Sequence, residues 1–427
     1  MKRKLNLILF INLIIQIFPK KILEIPFKTF YPSFEKNIST YMPIMCNTSI
    51  GTEIEIGTPP QKFKALFYLQ SFYTVILSNQ TKYSISPLFY QNLSSTYKSI
   101  KPIIGFFSEP FSDGEFAEDL ITLGNKKYDK LKFTLTTYLS DRYDDIIHSS
   151  VLIGLKLKDS FPDQNFPEYT FLNQLKEKKL IDNYVFRFEF KSNKEEGKLI
   201  IGENPYDDEN LLKINAGNLE GETQLTWGII FDNIYYGENK TKYNTKAIFK
   251  LDNEFIIGTT EIIDMIGKDF FAKFPDKCFK KDSQILSYKR ISYYECEKTI
   301  DLNQMKNIIF EVKSINYSFV FEPKDLFIEY SDKLFFIITF SSVYTVKWTF
   351  GRYFLQKFSL YFDKDKKIIG FIPNKNGFGK FILPILLSII LIGIIICLIY
   401  IIFGILKKKR RNRINELDDE FEYNPKE

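Results

Sequence analysis

Only one of the 427 residues is a histidine, His148, and only four are cysteines and two tryptophans. A Ser-His-Asp or Cys-His catalytic centre would have to use His148 as its base, and a zinc site built from several imidazoles is excluded. His148 closes the polar run that begins Asp144-Asp145, where a solvated loop residue is the expected reading. No metal site and no cofactor is expected. The chain also lacks a charge excess where it would matter for polyanion binding. Residues 1–22 hold five bases and no acid, residues 407–427 hold seven bases and six acids, and the intervening stretch carries 46 of each. The net charge of +6 therefore belongs to the two ends, which argues against a nucleic-acid partner.

What the chain has in abundance is phenylalanine (43), tyrosine (26) and long apolar runs. The aromatic richness, accompanied by many Ile, Lys and Asn, reads as a compositional bias rather than a recognition surface. Lys2-Arg3-Lys4 followed by the uncharged run Leu5–Phe18 has the layout of an export signal, assigned to residues 1–21. Residues 381–406 contain no charge, against the roughly 20 residues needed to cross a bilayer, and are expected to form a transmembrane helix contacting membrane lipid. The basic cluster Lys407–Arg413 that follows places residues 407–427 in the cytoplasm by the positive-inside rule. The expected topology is single-pass type I, with a luminal or extracellular ectodomain. Sequons at Asn37, Asn47, Asn79, Asn92, Asn239 and Asn316 all fall on that side. In such a compartment Cys278 and Cys296, which close a short loop, are the expected disulfide, leaving Cys46 as a thiol or bonded to another chain.

Alternating apolar and polar residues with turn punctuation dominate from about Thr52 to Ile372, and only 170–180 and 260–272 read as helices. The ectodomain is expected to be all-β with a few short helices. It also contains a repeat. Ala65-Leu66-Phe67-Tyr68-Leu69 and Ala247-Ile248-Phe249-Lys250-Leu251 share one pattern 182 positions apart. They are answered by Leu152-Ile153-Gly154 and Thr349-Phe350-Gly351. A period this long implies two related lobes rather than a solenoid.

The run Ile56-Gly57-Thr58-Pro59-Pro60-Gln61-Lys62-Phe63, leading into Ala65-Leu66-Phe67, resembles the first active-site strand of pepsin-like aspartic peptidases. Gly114, Asp119 and Gly124 match the spacing of that family's flap hairpin and put Phe107 where it carries a flap tyrosine. Ser150–Leu155, Gly197–Gly202, Trp227–Ile234 and Phe350–Leu355 resemble further family segments in order. The resemblance implies a bilobed, pepsin-like double β-barrel. Its lobes are assigned to 46–215 and 216–376, preceded at 22–45 by a propeptide-like or linker segment that reads equally as an ordinary N-terminal strand and linker. The resemblance also implies a Cys278–Cys296 disulfide in the second lobe.

The family's chemistry needs two carboxylates about 3 Å apart sharing one proton. Here the two aspartate positions hold Tyr68 and Lys250, and neither turn keeps its glycine. With reference pKa values of about 10 and 10.4, both side chains are protonated near neutrality. Asp252 lies two positions late, and Arg352 and Ser150 stand where the family usually has aspartates. The expectation is a proteolytically inactive ectodomain whose inter-lobe cleft, with Ser71, Phe107 and Asp252 among its cleft and flap residues, binds an extended peptide or protein ligand. An active membrane-tethered endopeptidase using displaced carboxylates and a purely structural surface glycoprotein are the competing readings.

Overall fold

The computed structural model describes residues 21–32, 38–81, 87–108, 111–124, 126–139, 149–157, 166–216, 226–241, 245–286, 289–341 and 347–373. The chain divides at Ile372/Pro373, and the fold described below is that of the first unit. The signal run, His148 and the apolar run 381–406 lie outside the described residues. Among the described residues no helix is long and apolar enough to cross a membrane.

The protein is mainly β. In the first half, β1 (Leu23–Phe30), β2 (Ser49–Ile56), β3 (Gln61–Tyr68), β4 (Val75–Leu77), β5 (Lys98–Ser108) and β6 (Phe111–Leu123) are followed by β7 (Lys126–Leu139), β8 (Val151–Gly154), β9 (Val185–Phe190), β10 (Glu196–Ile201) and β11 (Leu212–Asn215). These eleven and the last hairpin of the fold, Leu360–Asp363 with Ile368–Phe371, form one 13-stranded sheet. The terminal hairpin enters between β11 and β9, and β5 lies at the opposite edge. The second half supplies a nine-stranded and a four-stranded sheet.

Within residues 22–45 the described part includes a strand, one of the readings open for that segment. Leu23, Ile25, Phe27 and Phe30 point inward while Glu24, Pro26 and Lys28 face outward, the period-2 pattern of a half-buried strand. Strand β1 pairs with β10 along Leu23–Lys28 and with β2 only from Lys28 to Phe30, so Pro26 sits where one edge of the strand has no ladder to lose. The β2–β3 connection turns at Gly57, whose φ of +88° favours glycine and whose missing Cβ leaves room for Ser94 Oγ.

Both expected helices form, slightly shorter than read. Phe171–Glu177 buries Phe171, Leu172 and Leu175, and Thr260–Asp269 buries Ile262, Ile263 and Ile266. The latter has Glu261 in its first turn and Lys268 in its last, favourable ends of the helix dipole. Ala272 falls in a following 3-10 turn, Phe271–Lys273.

The aromatic excess goes mostly into the core. Phe350 and Phe354 stack at 4.2 Å, Phe310 meets Trp348 edge-on at 4.9 Å, and Trp227 packs against Phe186 and Phe362. Burying one such ring stabilises by roughly 1.5–3 kcal/mol relative to leaving it in water. Among the described residues, the large apolar side chains in the exposed class are Tyr90, Leu93, Ile100, Ile230 and Phe279.

Candidate functional site

The two copies of the sequence repeat become two equivalent turns. β3 ends at Tyr68 and runs parallel to β8, with Tyr68 opposite Gly154. Strand Thr245–Phe249 ends one residue before Lys250 and runs parallel to Trp348–Phe350, which is followed by Gly351. In each half the glycine admits the turn. A Cβ on Gly154 would lie 2.3 Å from Tyr73 O and 2.7 Å from Ser71 O, and one on Gly351 would lie 2.2 Å from Phe255 O and 2.4 Å from Asn253 O. Within each turn a polar side chain closes the same bond. Ser71 Oγ donates to Tyr73 O at 3.0 Å, and Asn253 Nδ2 donates to Phe255 O at 2.9 Å. Residues 71 and 253, like 73 and 255, are 182 apart, so the repeat seen in sequence is carried through to individual hydrogen bonds.

The turns meet. Gln70 Nε2 donates to Phe249 O at 2.7 Å, joining the first turn to the residue before Lys250. Trp227 Nε1 makes a second tie, donating to Leu155 O at 2.7 Å. Tyr68 is buried (6 % exposed), and Lys250 and Asp252 are partly buried. Among the described residues no carboxylate forms an ion pair with Lys250. Gln70 Oε1 and Asp252 Oδ1 are both buried without a hydrogen-bond partner, and they occupy equivalent positions of the two turns. Ser71 is wholly buried beneath its own turn and is no nucleophile in this arrangement. Phe107 lies on β5, and its side chain lies outside the described residues. Tyr68 and Lys250 therefore stand at matching points of joined turns, whereas Ser71 lies behind its turn.

Beneath the second turn is a buried charge pair that sequence reading left unassigned. Arg352, 0 % exposed, directs all five of its N–H donors to protein acceptors. Nε reaches Glu254 Oε2 at 2.9 Å and Nη2 contacts the same oxygen. Nη1 donates to Thr48 O (2.8 Å) and Leu251 O (3.2 Å), and Nη2 to Thr48 Oγ1 at 2.5 Å. Glu254 Oε1 accepts from Gln356 Nε2 at 3.1 Å. A buried carboxylate so fully engaged with a buried guanidinium is part of the packing, and removing either partner would strand the other. The same packing pushes the Tyr41 and Tyr31 phenols above their ordinary range, first by burial. Glu254 then adds to the shift at Tyr41, and the bond to Glu195 to that at Tyr31. Next to the first turn, burial pulls the Lys364 ammonium down to about 8, partly offset by Asp365. Lys364 Nζ lies 4.6 Å from the Phe72 ring centroid.

A profile described as eukaryotic aspartyl protease matches residues 50–374. The chain belongs to the eukaryotic aspartyl protease family. A curated relative, cyprosin from Cynara cardunculus, is 27% identical over 241 residues, covering 51% of this chain. The matched part spans 47% of cyprosin, so the chain covers about half the length of that relative. As an aspartyl-protease-family chain it keeps the second-half disulfide, Cys278–Cys296, which links opposite residues of the strands Cys278–Leu286 and Lys289–Glu297. Cys46 is buried. Ser150, where the family usually has aspartate, is buried and its Oγ donates to Pro87 O.

The sequons divide by exposure. Asn92, Asn239 and Asn316 are exposed and Asn79 partly so, but Asn47 is 5 % exposed, a position with no room for a glycan; Asn37 lies outside the described residues. Sequence reasoning missed Gln70 and the Glu254–Arg352 pair. The signal for the pair was faint, a lone arginine in an apolar helix start and a glutamate four places after Lys250.

Proposed function

We infer that this aspartyl-protease-family protein is proteolytically inactive and acts as a peptide- or protein-binding ectodomain on a single-pass, glycosylated membrane protein. The observation that carries the reading is the pair Tyr68 and Lys250 at matching positions of the two joined turns. The reaction needs one group that takes a proton from water while a second gives one to the carbonyl oxygen. A phenol and an ammonium are both donors in their ordinary states, and neither takes the proton. Binding needs less. An extended peptide is held by backbone bonds to strand edges and by side-chain pockets. Lys250, which pairs with no carboxylate among the described residues, then offers its ammonium to an acidic group of the ligand. The apolar run 381–406 and the basic cluster after it support anchoring in a membrane.

The test is cleavage of an unfolded protein substrate by the purified full chain from acidic to neutral pH. No turnover is expected. Turnover abolished by a transition-state-mimic inhibitor of aspartic peptidases would overturn the reading. Capture of acidic extended peptides should weaken in Lys250→Glu, and unchanged capture would remove Lys250 from the ligand site. A second reading draws on the orphaned Asp252 oxygen: an endopeptidase with displaced carboxylates, whose turnover Asp252→Asn would abolish. The neutral amide of Gln70 at the equivalent position of the other turn counts against it.

A further inference from the structure

Strand β5 forms the outer edge of the 13-stranded sheet, and its Lys101 lies opposite Phe116 of β6. The Lys101 side chain does not reach a carboxylate: among the described residues none pairs with it. Its Nζ instead lies over three rings, 3.5 Å from the centroid of Phe166, 5.3 Å from Phe116 and 5.7 Å from Tyr169. The rings come from two separate parts of the chain and hold one another in place. Phe116 and Tyr169 stack at 3.9 Å, and Phe166 meets Phe116 edge-on at 5.4 Å and Tyr169 at 6.2 Å. Phe166 N donates to Tyr73 Oη at 3.1 Å, and the Tyr73 ring lies 5.8 Å from Phe116. The group is thus packed directly against the turn that carries Tyr68.

The face of Phe166 forms the cation site, because a π face is negative and a partly desolvated ammonium gains from it what it loses in hydration, while the stacked Phe116 and Tyr169 wall it from the side. The site's occupant here is tethered to an edge strand, where an added extended segment would run beside Lys101 and bring its own side chains to the same rings. We propose that Phe166, walled by the stacked pair Phe116 and Tyr169, forms a cation-binding box that Lys101 fills in the unliganded protein, and that a lysine or arginine side chain of a ligand peptide replaces it there. The peptide rests on the binding function inferred above; the box itself does not.

The box is tested on the full chain with tetramethylammonium as probe, by calorimetry. Lys101→Gln, which keeps an aliphatic stem and removes the charge, should bind the probe ~tenfold more tightly than the native protein, and adding Phe166→Ala should abolish that gain. Equal affinity in the native and Lys101→Gln proteins, or binding that survives the second change, would overturn the box. Lys101→Arg serves as the second variant and should keep the box closed; a gain equal to that of Lys101→Gln would also overturn it. Extended peptides differing only by lysine or norleucine separate the two ideas. Equal capture of both overturns the replacement of Lys101 by a ligand cation and leaves peptide binding standing. Capture of neither removes peptide binding, while the tetramethylammonium result still decides the box.

Discussion

The two turns that meet at the junction of the halves share a backbone and differ in chemistry. Ser71 and Asn253 make the same bond, and Gly154 and Gly351 permit the same close approach. Beneath them, Phe72 and Leu155 in the first half correspond to Glu254 and Arg352 in the second, an apolar pair against an ionic one. The same turn geometry is thus built over an apolar pair in one half and an ionic pair in the other. Family membership follows from the first set of features and says nothing about the second.

This comparison can be broken most severely at the ionic pair. Arg352→Met strands the Glu254 carboxylate in the interior and should cost about 3–5 kcal/mol in denaturant unfolding. Glu254→Phe with Arg352→Leu imports the first half's pair and should recover that loss, ending neutral or more stable than the native protein. A double variant as unstable as the single one would show that the two halves cannot exchange their packing.

Next comes Lys364, which is partly buried with its ammonium against Phe72 of the first turn. Its folded pKa, about 8, lies below the unfolded value near 10.4. Between those two values the unfolded chain binds more protons, so this group makes stability rise with pH from 8 to 10.4; below pH 8 its charge weakens the fold by a constant amount. Lys364→Met should raise the Tm at pH 7, by up to about 3 kcal/mol in stability, and the difference from the native protein should vanish towards pH 10.5. A difference independent of pH would contradict the assignment.

Smaller effects sharpen the equivalence. Gly154→Ala and Gly351→Ala each drive a methyl into backbone carbonyls and should each cost about 1–3 kcal/mol. Unequal losses would mean that one half relaxes more readily. Ser71→Ala and Asn253→Ala remove the matching buried bonds and should each cost about 1 kcal/mol.

Much of the fold was legible because its signals are local. Alternation marked the strands, the 182-residue repeat marked the equivalent turns, and the periodic runs at 170–180 and 260–272 marked the helices. The substitutions at Tyr68 and Lys250 were equally plain once the repeat fixed the register. The misses have physical reasons. Strand β1 alternates cleanly, but its partner β10 lies more than 160 residues away, so the segment before the first motif read equally as a strand or as a propeptide-like stretch. Glu254 and Arg352 are 98 residues apart and each resembles an ordinary surface charge until folding brings them together. Asn47 carries a sequon that only the three-dimensional packing shows to be buried. The box around Lys101 needed the 98–123 hairpin and the Phe166–Tyr169 segment to be placed together.

The last hairpin of the fold, Leu360–Phe371, lies between β9 and β11 of the first half's sheet. In time rather than space, this makes the first half wait. A ribosome supplies about 5–20 residues per second, so the 144 residues between Asn215 and Leu360 take roughly 7–30 s to follow β11, during which β9 and β11 lack their common neighbours. Long-range pairing of this kind folds slowly. A chain stopped before Leu360 should therefore lose the order of its first half as well as its second.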